Sequence, residues 1–154
     1  MKVHYPILLF FLVGGLNVSC AQSTKNVPQA VMHAFTDQFE GASKVKWQLE
    51  DGKDWEAEFL QNGQEMSATY SSEGQWQETE TEVEVDELPQ TVRSTLHAQY
   101  EEFKIRESAI VRRPELQKAY EVELKNGKEV FEVLLDEKGT VLSTSKESSG
   151  KEKN

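Results

Sequence analysis

Val27-Pro28-Gln29-Ala30-Val31 returns later in the chain as Leu88-Pro89-Gln90-Thr91-Val92, an offset of 61. Working outward, the same offset pairs Phe35 with Leu96, Gln38 with Gln99, Phe39 with Tyr100 and Glu40 with Glu101. Further on, Glu56-Ala57-Glu58-Phe59 matches Glu121-Val122-Glu123-Leu124, and Asn62-Gly63-Gln64-Glu65 matches Asn126-Gly127-Lys128-Glu129. Gly74 then matches Gly139, by which point the offset has drifted to 65. The second copy therefore carries a few extra residues between its helix and its second strand. Chance produces one such match; a set of them in order points to an internal repeat.

Each copy has the same local grammar. Pro28 and Pro89 suit the first position of a helix, where a missing N–H costs nothing. Apolar residues then recur every four places: Val27, Val31, Phe35 and Phe39, and again Leu88, Val92, Leu96 and Tyr100. That spacing gives each helix one apolar face. After the helix the period changes to two. Val45, Trp47 and Leu49 alternate with Lys44, Lys46 and Gln48, and Trp55, Ala57 and Phe59 alternate with Glu56 and Glu58. Asn62-Gly63 and Asn126-Gly127 are strong hairpin signals, because a type I′ turn needs positive φ at both central residues. Strands over 65–71 and 75–85 complete the first copy. Strands over 103–113, 118–125, 128–136 and 140–145 complete the second. The fold class expected is α+β: two tandem repeats of a helix plus a four-stranded antiparallel sheet, with the helices on one face.

A helix on a four-stranded sheet covers one face only. At about 60 residues each, the halves are marginal as independent domains, and a shared sheet is the expected solution. The organisation read from the sequence is a signal segment at 1–21, a first repeat at 22–87, a second at 88–145 and a flexible tail at 146–154. The tail lacks apolar anchors.

In the signal segment Lys2 supplies the positive start, and Ile7 to Val13 form an apolar run too short for the roughly 20 residues that cross a bilayer. Ser19 and Ala21 fit cleavage after Ala21, which gives a secreted or periplasmic product. The competing reading makes Cys20 the lipid-bearing residue of an outer-membrane-type lipoprotein, with membrane contact through Cys20 alone. Against it, Asn17 stands where a lipobox has Leu.

The 154 residues hold 27 acidic and 17 basic side chains, a net charge of −10. Nucleic acid is excluded as a partner on that balance, since neutralising phosphates takes Lys and Arg in excess. One cysteine permits neither an internal disulfide nor a thiolate zinc cage. The charge is unevenly shared. Residues 22–87 hold 4 basic and 15 acidic groups, net −11, whereas 88–154 hold 12 of each. Such a field steers a basic partner; it also serves solubility.

Together these pieces resemble the PepSY-like proteins secreted by Bacteroidetes-type bacteria, whose fold is similar to the tandem repeat of the beta-lactamase inhibitor protein. The residues that carry the resemblance are Val27-Pro28 with Ala34-Phe35, Val45-Lys46-Trp47, Glu56-Ala57-Glu58-Phe59, Asn62-Gly63 with Glu65, and Gly74-Gln75-Trp76 with Glu78-Thr79-Glu80. Leu88-Pro89 and Tyr120-Glu121-Val122 complete it. The resemblance implies a small exported helix-and-sheet module with no catalytic residues or cofactor to carry over. It also implies a role in binding or inhibiting a protein, a fold-level analogy.

A search for chemistry finds no Gly-x-Ser-x-Gly elbow, His-Glu-x-x-His, Walker loop or Gly-x-Gly-x-x-Gly. His33 and His97 read as solvent-facing helix residues rather than metal ligands. Glu78, Glu80, Glu82 and Glu84 alternate with Thr79, Thr81, Val83 and Val85, which places the four acids on one solvated face of a strand. Trp76 shares their parity. An unbroken strand puts it on that face as a binding residue, and a bulge near Gly74 turns it inward. Trp76, Glu78, Glu80, Glu82 and Glu84 are the candidate binding surface for a protein or peptide of the cell envelope, a basic one by charge. The function expected is a non-enzymatic binding module acting through its open sheet face. The alternatives are a weak carboxylate-based hydrolase, which needs two acids in a cleft, and a calcium-stabilised envelope protein.

Overall fold

The computed structural model describes residues 26–50, 52–127 and 129–146; the expected signal segment, Cys20 and the tail beyond Lys146 lie outside them. Helix α1 (Gln29–Gln38) is followed by strands β1 (Ser43–Glu50), β2 (Asp54–Gln61), β3 (Gln64–Ser71) and β4 (Trp76–Glu82). Helix α2 (Gln90–Tyr100) is followed by β5 (Lys104–Arg113), β6 (Leu116–Asn126), β7 (Glu129–Leu135) and β8 (Val141–Lys146). Within each half the strands follow one another in chain order, and the pairs β1–β2, β2–β3, β5–β6, β6–β7 and β7–β8 are antiparallel. Two compact units divide between Thr79 and Glu80, inside β4 and ahead of the 87/88 boundary drawn from the repeat.

In the first unit α1 buries Val31 and Phe35 against Trp47, Ala57, Phe59, Ala68 and Tyr70. Phe35 is the centre of this core, with ring centroids 5.2 Å from Trp47 and 5.0 Å from Phe59, both edge-on. Edge-to-face packing is the geometry favoured by ring quadrupoles. The Tyr70 hydroxyl reaches up to the helix and donates to Gln38 Oε1 at 3.0 Å. Burial pushes the Tyr70 phenol well above its usual range.

In the second unit Leu88, Val92 and Leu96 pack on Tyr120, Val122, Leu124, Val133 and Leu135. Tyr100, Phe103 and Phe131 close the end of that core, the last two 4.7 Å apart. Both four-residue apolar stripes thus face their own sheets, and Phe35 and Leu96 are each 4% exposed.

Three local expectations are corrected. Pro28 and Pro89 stand one place before the first helical residue. Each is extended, with ψ near 144, and its carbonyl accepts the first helical bond, from Met32 N at 3.1 Å and Arg93 N at 3.0 Å. The strand expected over 75–85 ends at Glu82, and Val85–Glu87 form a 3-10 turn. Glu84 N donates to Glu87 Oε2 at 2.9 Å there, so the acid that ends the turn reaches back to satisfy the N–H just ahead of it. Finally, the two Asn-Gly pairs are not equivalent. Asn62 and Gly63, both with positive φ, form the whole first loop, whereas Asn126 still pairs with Glu129 and its turn begins at Gly127. That register sets Phe131 opposite Leu124, where it meets Tyr100 and Phe103.

The turns after β3 and β7 are built alike. Gly74 N bonds to Ser71 O and Gly139 N to Asp136 O, both at 2.9 Å. Ser71 Oγ accepts from the N–H groups of Glu73 and Gln75, as Asp136 Oδ1 does from Lys138 and Thr140. Gly74 and Gly139 both have φ +80, and each lies under the first turn of its own helix.

Candidate functional site

Pairing fixes which side chains share a face. In the first unit β2 places Trp55, Ala57 and Phe59 toward α1, so Asp54, Glu56 and Glu58 lie on the opposite face. Their cross-strand partners there are Ser71, Thr69 and Ser67 on β3, and Glu50, Gln48 and Lys46 on β1. Over Asp54–Glu58 the face is therefore polar, yet much of it is buried: Asp54, Glu56, Ser67 and Thr69 all belong to the buried polar set.

Glu56 is the centre. It is 2% exposed, and Gln48 Nε2 donates to its Oε2. Burial raises its pKa to about 7; the Gln48 amide and the Ser67 hydroxyl oppose the rise, and the charges of Glu58 and Glu78 add to it. None of these groups is basic. Asp54 accepts from Gln77 Nε2 at 3.1 Å and has Lys53 Nζ at 3.4 Å. Lys46 Nζ lies 4.0 Å from Glu58 on the exposed rim. Thr69, directly opposite Glu56 and 4% exposed, has a hydroxyl with no hydrogen-bond partner among the described residues.

The half-solvated β4 expected from alternation is not observed. Glu78, Thr79, Glu80 and Thr81 are all buried, Glu80 completely, while Glu82 and Glu84 are exposed. Burial at four consecutive positions means that both faces of the strand are covered along Glu78–Thr81, so neither set of alternate residues is left to solvent there. Trp76 does not join the acids. It packs against the core of the first unit, and its Nε1 donates to Thr79 Oγ1 at 2.8 Å. Of the five candidate residues, Glu78 alone bears on Glu56, through its charge. Sequence reading missed Asp54, Glu56 and Thr69. The signal available for them was an acid run (Asp54, Glu56, Glu58) that pairs with a hydroxyl run (Ser67, Thr69, Ser71).

His33 and His97 are exposed on their helices. Among the described residues no group of three or more His, Cys, Asp or Glu side chains is arranged to hold a metal ion, and no helix is long and apolar enough to cross a membrane.

A fold of this kind, a helix on antiparallel strands in each half with an acid-rich face, places the chain in a known class. Residues 53–143 match the family model described as "Putative beta-lactamase-inhibitor-like, PepSY-like", and the chain belongs to that family. Solved structures agree on the fold. A BLIP-like protein from Bacteroides fragilis aligns with TM-score 0.67 at 22% identity, over 82% of this chain and 92% of its own. A DUF2874 family protein from Bacteroides uniformis gives 0.68 at 24%, over 77% and 88%. A protein from Bacteroides eggerthii described as one of the "putative periplasmic proteins" gives 0.69 at 21%, over 78% and 88%. No curated protein matches the chain.

Proposed function

We propose that this chain is an exported, non-enzymatic module, two tandem copies of one helix-and-sheet unit, that binds a basic protein or peptide of the cell envelope. The observation that carries the reading is the acid-rich face of the first unit, where Glu56 and Glu78 act on one another without a basic group among the main influences on Glu56. The net −11 of residues 22–87 supports it, because such a field draws in positive partners and does so more strongly at low salt. The periplasmic description of a similar structure supports an envelope address. Inhibition of an enzyme is one form such binding takes in the reading.

The test is capture from cell-envelope extract on immobilised protein, at low salt, beside a variant carrying Asp54→Asn, Glu56→Gln and Glu78→Gln. The expected result is a polypeptide held by the parent protein and lost by the variant. An equal yield from both, or nothing above background, would overturn the reading.

A further inference from the structure

The geometry points to a seat for a lysine ammonium on the polar face of the first unit, formed by the Glu56 carboxylate and the Thr69 hydroxyl opposite it. This rests on the reading of that face as a binding surface and names the group it takes.

Three observations carry it. The Thr69 hydroxyl is buried and has no hydrogen-bond partner among the described residues, although it stands directly across from Glu56 on the same face. A buried hydroxyl of that kind is costly unless something comes to satisfy it. The group now bonded to Glu56 is the neutral amide of Gln48, a long half-buried side chain on β1, the first strand in the order. A Gln amide offers a donor but no charge, and it can swing outward to open the way. The third observation is the charge around the seat. Asp54 and Glu58 flank Glu56 on β2, and Glu78 bears on it from β4. β1 contributes Lys46 and Glu50, β3 contributes Glu65 at its exposed start, and Lys53 from the β1–β2 turn reaches Asp54 at 3.4 Å. The nearest ammonium on β1, Lys46, is engaged with Glu58 at the rim. An ammonium has three donors and no acceptor, and this seat presents a carboxylate and a hydroxyl oxygen. Arginine fits less well, since its rigid fork needs a carboxylate reached edge-on.

An ammonium seated beside Glu56 favours the ionised carboxylate. Where Glu56 carries its proton beforehand, binding releases that proton to solvent. Capture therefore strengthens as pH rises through the neutral range.

The experiment is calorimetric titration with an octalysine peptide and with the same peptide fully Nζ-acetylated. At pH 8 octalysine is expected to bind, and the acetylated peptide is not. At pH 5.5 affinity is expected to fall at least tenfold, and at pH 6.5 the heat should depend on the buffer as a proton is released. Glu56→Gln and Thr69→Val, each checked for native far-ultraviolet circular dichroism, should each weaken binding at least fivefold. Asp37→Asn and Glu73→Gln, which remove the same charge from exposed positions away from this face, should not. If octalysine binds but Glu56→Gln and Thr69→Val leave affinity unchanged, the seat is wrong while the acidic-face reading stands. If octalysine does not bind at all and the extract still yields a partner lost by the triple variant, the seat again falls alone.

Discussion

A Cβ built on Gly74 would stand 2.6 Å from the carbonyl oxygen of Ala30, closer than real Cβ atoms come to anything. The first turn of α1 rests directly on the β3–β4 turn. Gly139 stands in the same relation to Thr91 of α2, also at 2.6 Å, and there Thr95 Oγ1 adds a bond to Gly139 O at 2.8 Å. Helix and sheet are held at a distance that only a missing side chain permits.

Gly74→Ala should therefore cost more than Gly63→Ala. Both residues have positive φ, which costs an alanine about 1–2 kcal/mol. Only Gly74 adds an overlap with backbone, worth a further ~1–3 kcal/mol; nothing lies within 4 Å of a Cβ at Gly63. Urea denaturation of the two variants measures the difference. Equal losses would mean the helix moves aside freely.

Glu56 makes stability depend on pH in a stated direction. Its folded value is about 7 against the ordinary 4.5, so the folded chain holds the proton more tightly than the unfolded chain. The contribution is fully present below about pH 4.5 and is lost as pH rises through 7, amounting to about 3 kcal/mol. Glu56→Gln should remove that slope and leave the variant more stable than the parent at pH 8. Denaturation midpoints at pH 5, 6, 7 and 8 test it; a parent chain whose stability rises with pH at this site would contradict it.

Phe35→Ala should cost about 3–5 kcal/mol and Leu96→Ala about 2–5 kcal/mol, since each leaves a cavity at the centre of its own core. Against a total of roughly 5–15 kcal/mol, either loss is large. Thermal unfolding followed by circular dichroism reads both. A silent substitution at one site would break the equivalence of the two helices.

Tyr70→Phe should cost about 1 kcal/mol, the net worth of one hydrogen bond to Gln38. In alkaline titration at 295 nm, the parent-minus-variant signal should stay near zero through the ordinary phenol range, because burial holds the Tyr70 hydroxyl neutral.

The helices were legible in the sequence because a four-residue apolar spacing has one geometric solution, and Val31, Phe35, Val92 and Leu96 are buried where that solution puts them. The first Asn-Gly turn was legible for the same reason: Asn62 and Gly63 both need positive φ. The site was not. Glu56 and Glu58 alternate with apolar residues and read as solvent-facing, which Glu58 partly is. Glu56 is buried because of what lies beside it, the short Thr69 and the folded-over Gln48. That information resides in the pairing of three strands, and one strand's alternation does not contain it. β4 failed for a related reason, since alternation reports solvent on one face and β4 has little on either along Glu78–Thr81.

The bulge at the start of β1 has a colloidal consequence. Lys44 takes a left-handed backbone, φ 55, and the register with β2 slips between Ser43 and Lys46. A strand broken in this way cannot offer a second chain an even ladder of N–H and C=O groups. At the other end of the strand order β8 has only six residues, and its last, Lys146, is tied to Glu129 at 2.7 Å. Rims interrupted by a kink or kept short do not zip into fibrils. With ten net negative charges to keep molecules apart as well, concentrated solutions of this sheet-rich chain should stay clear.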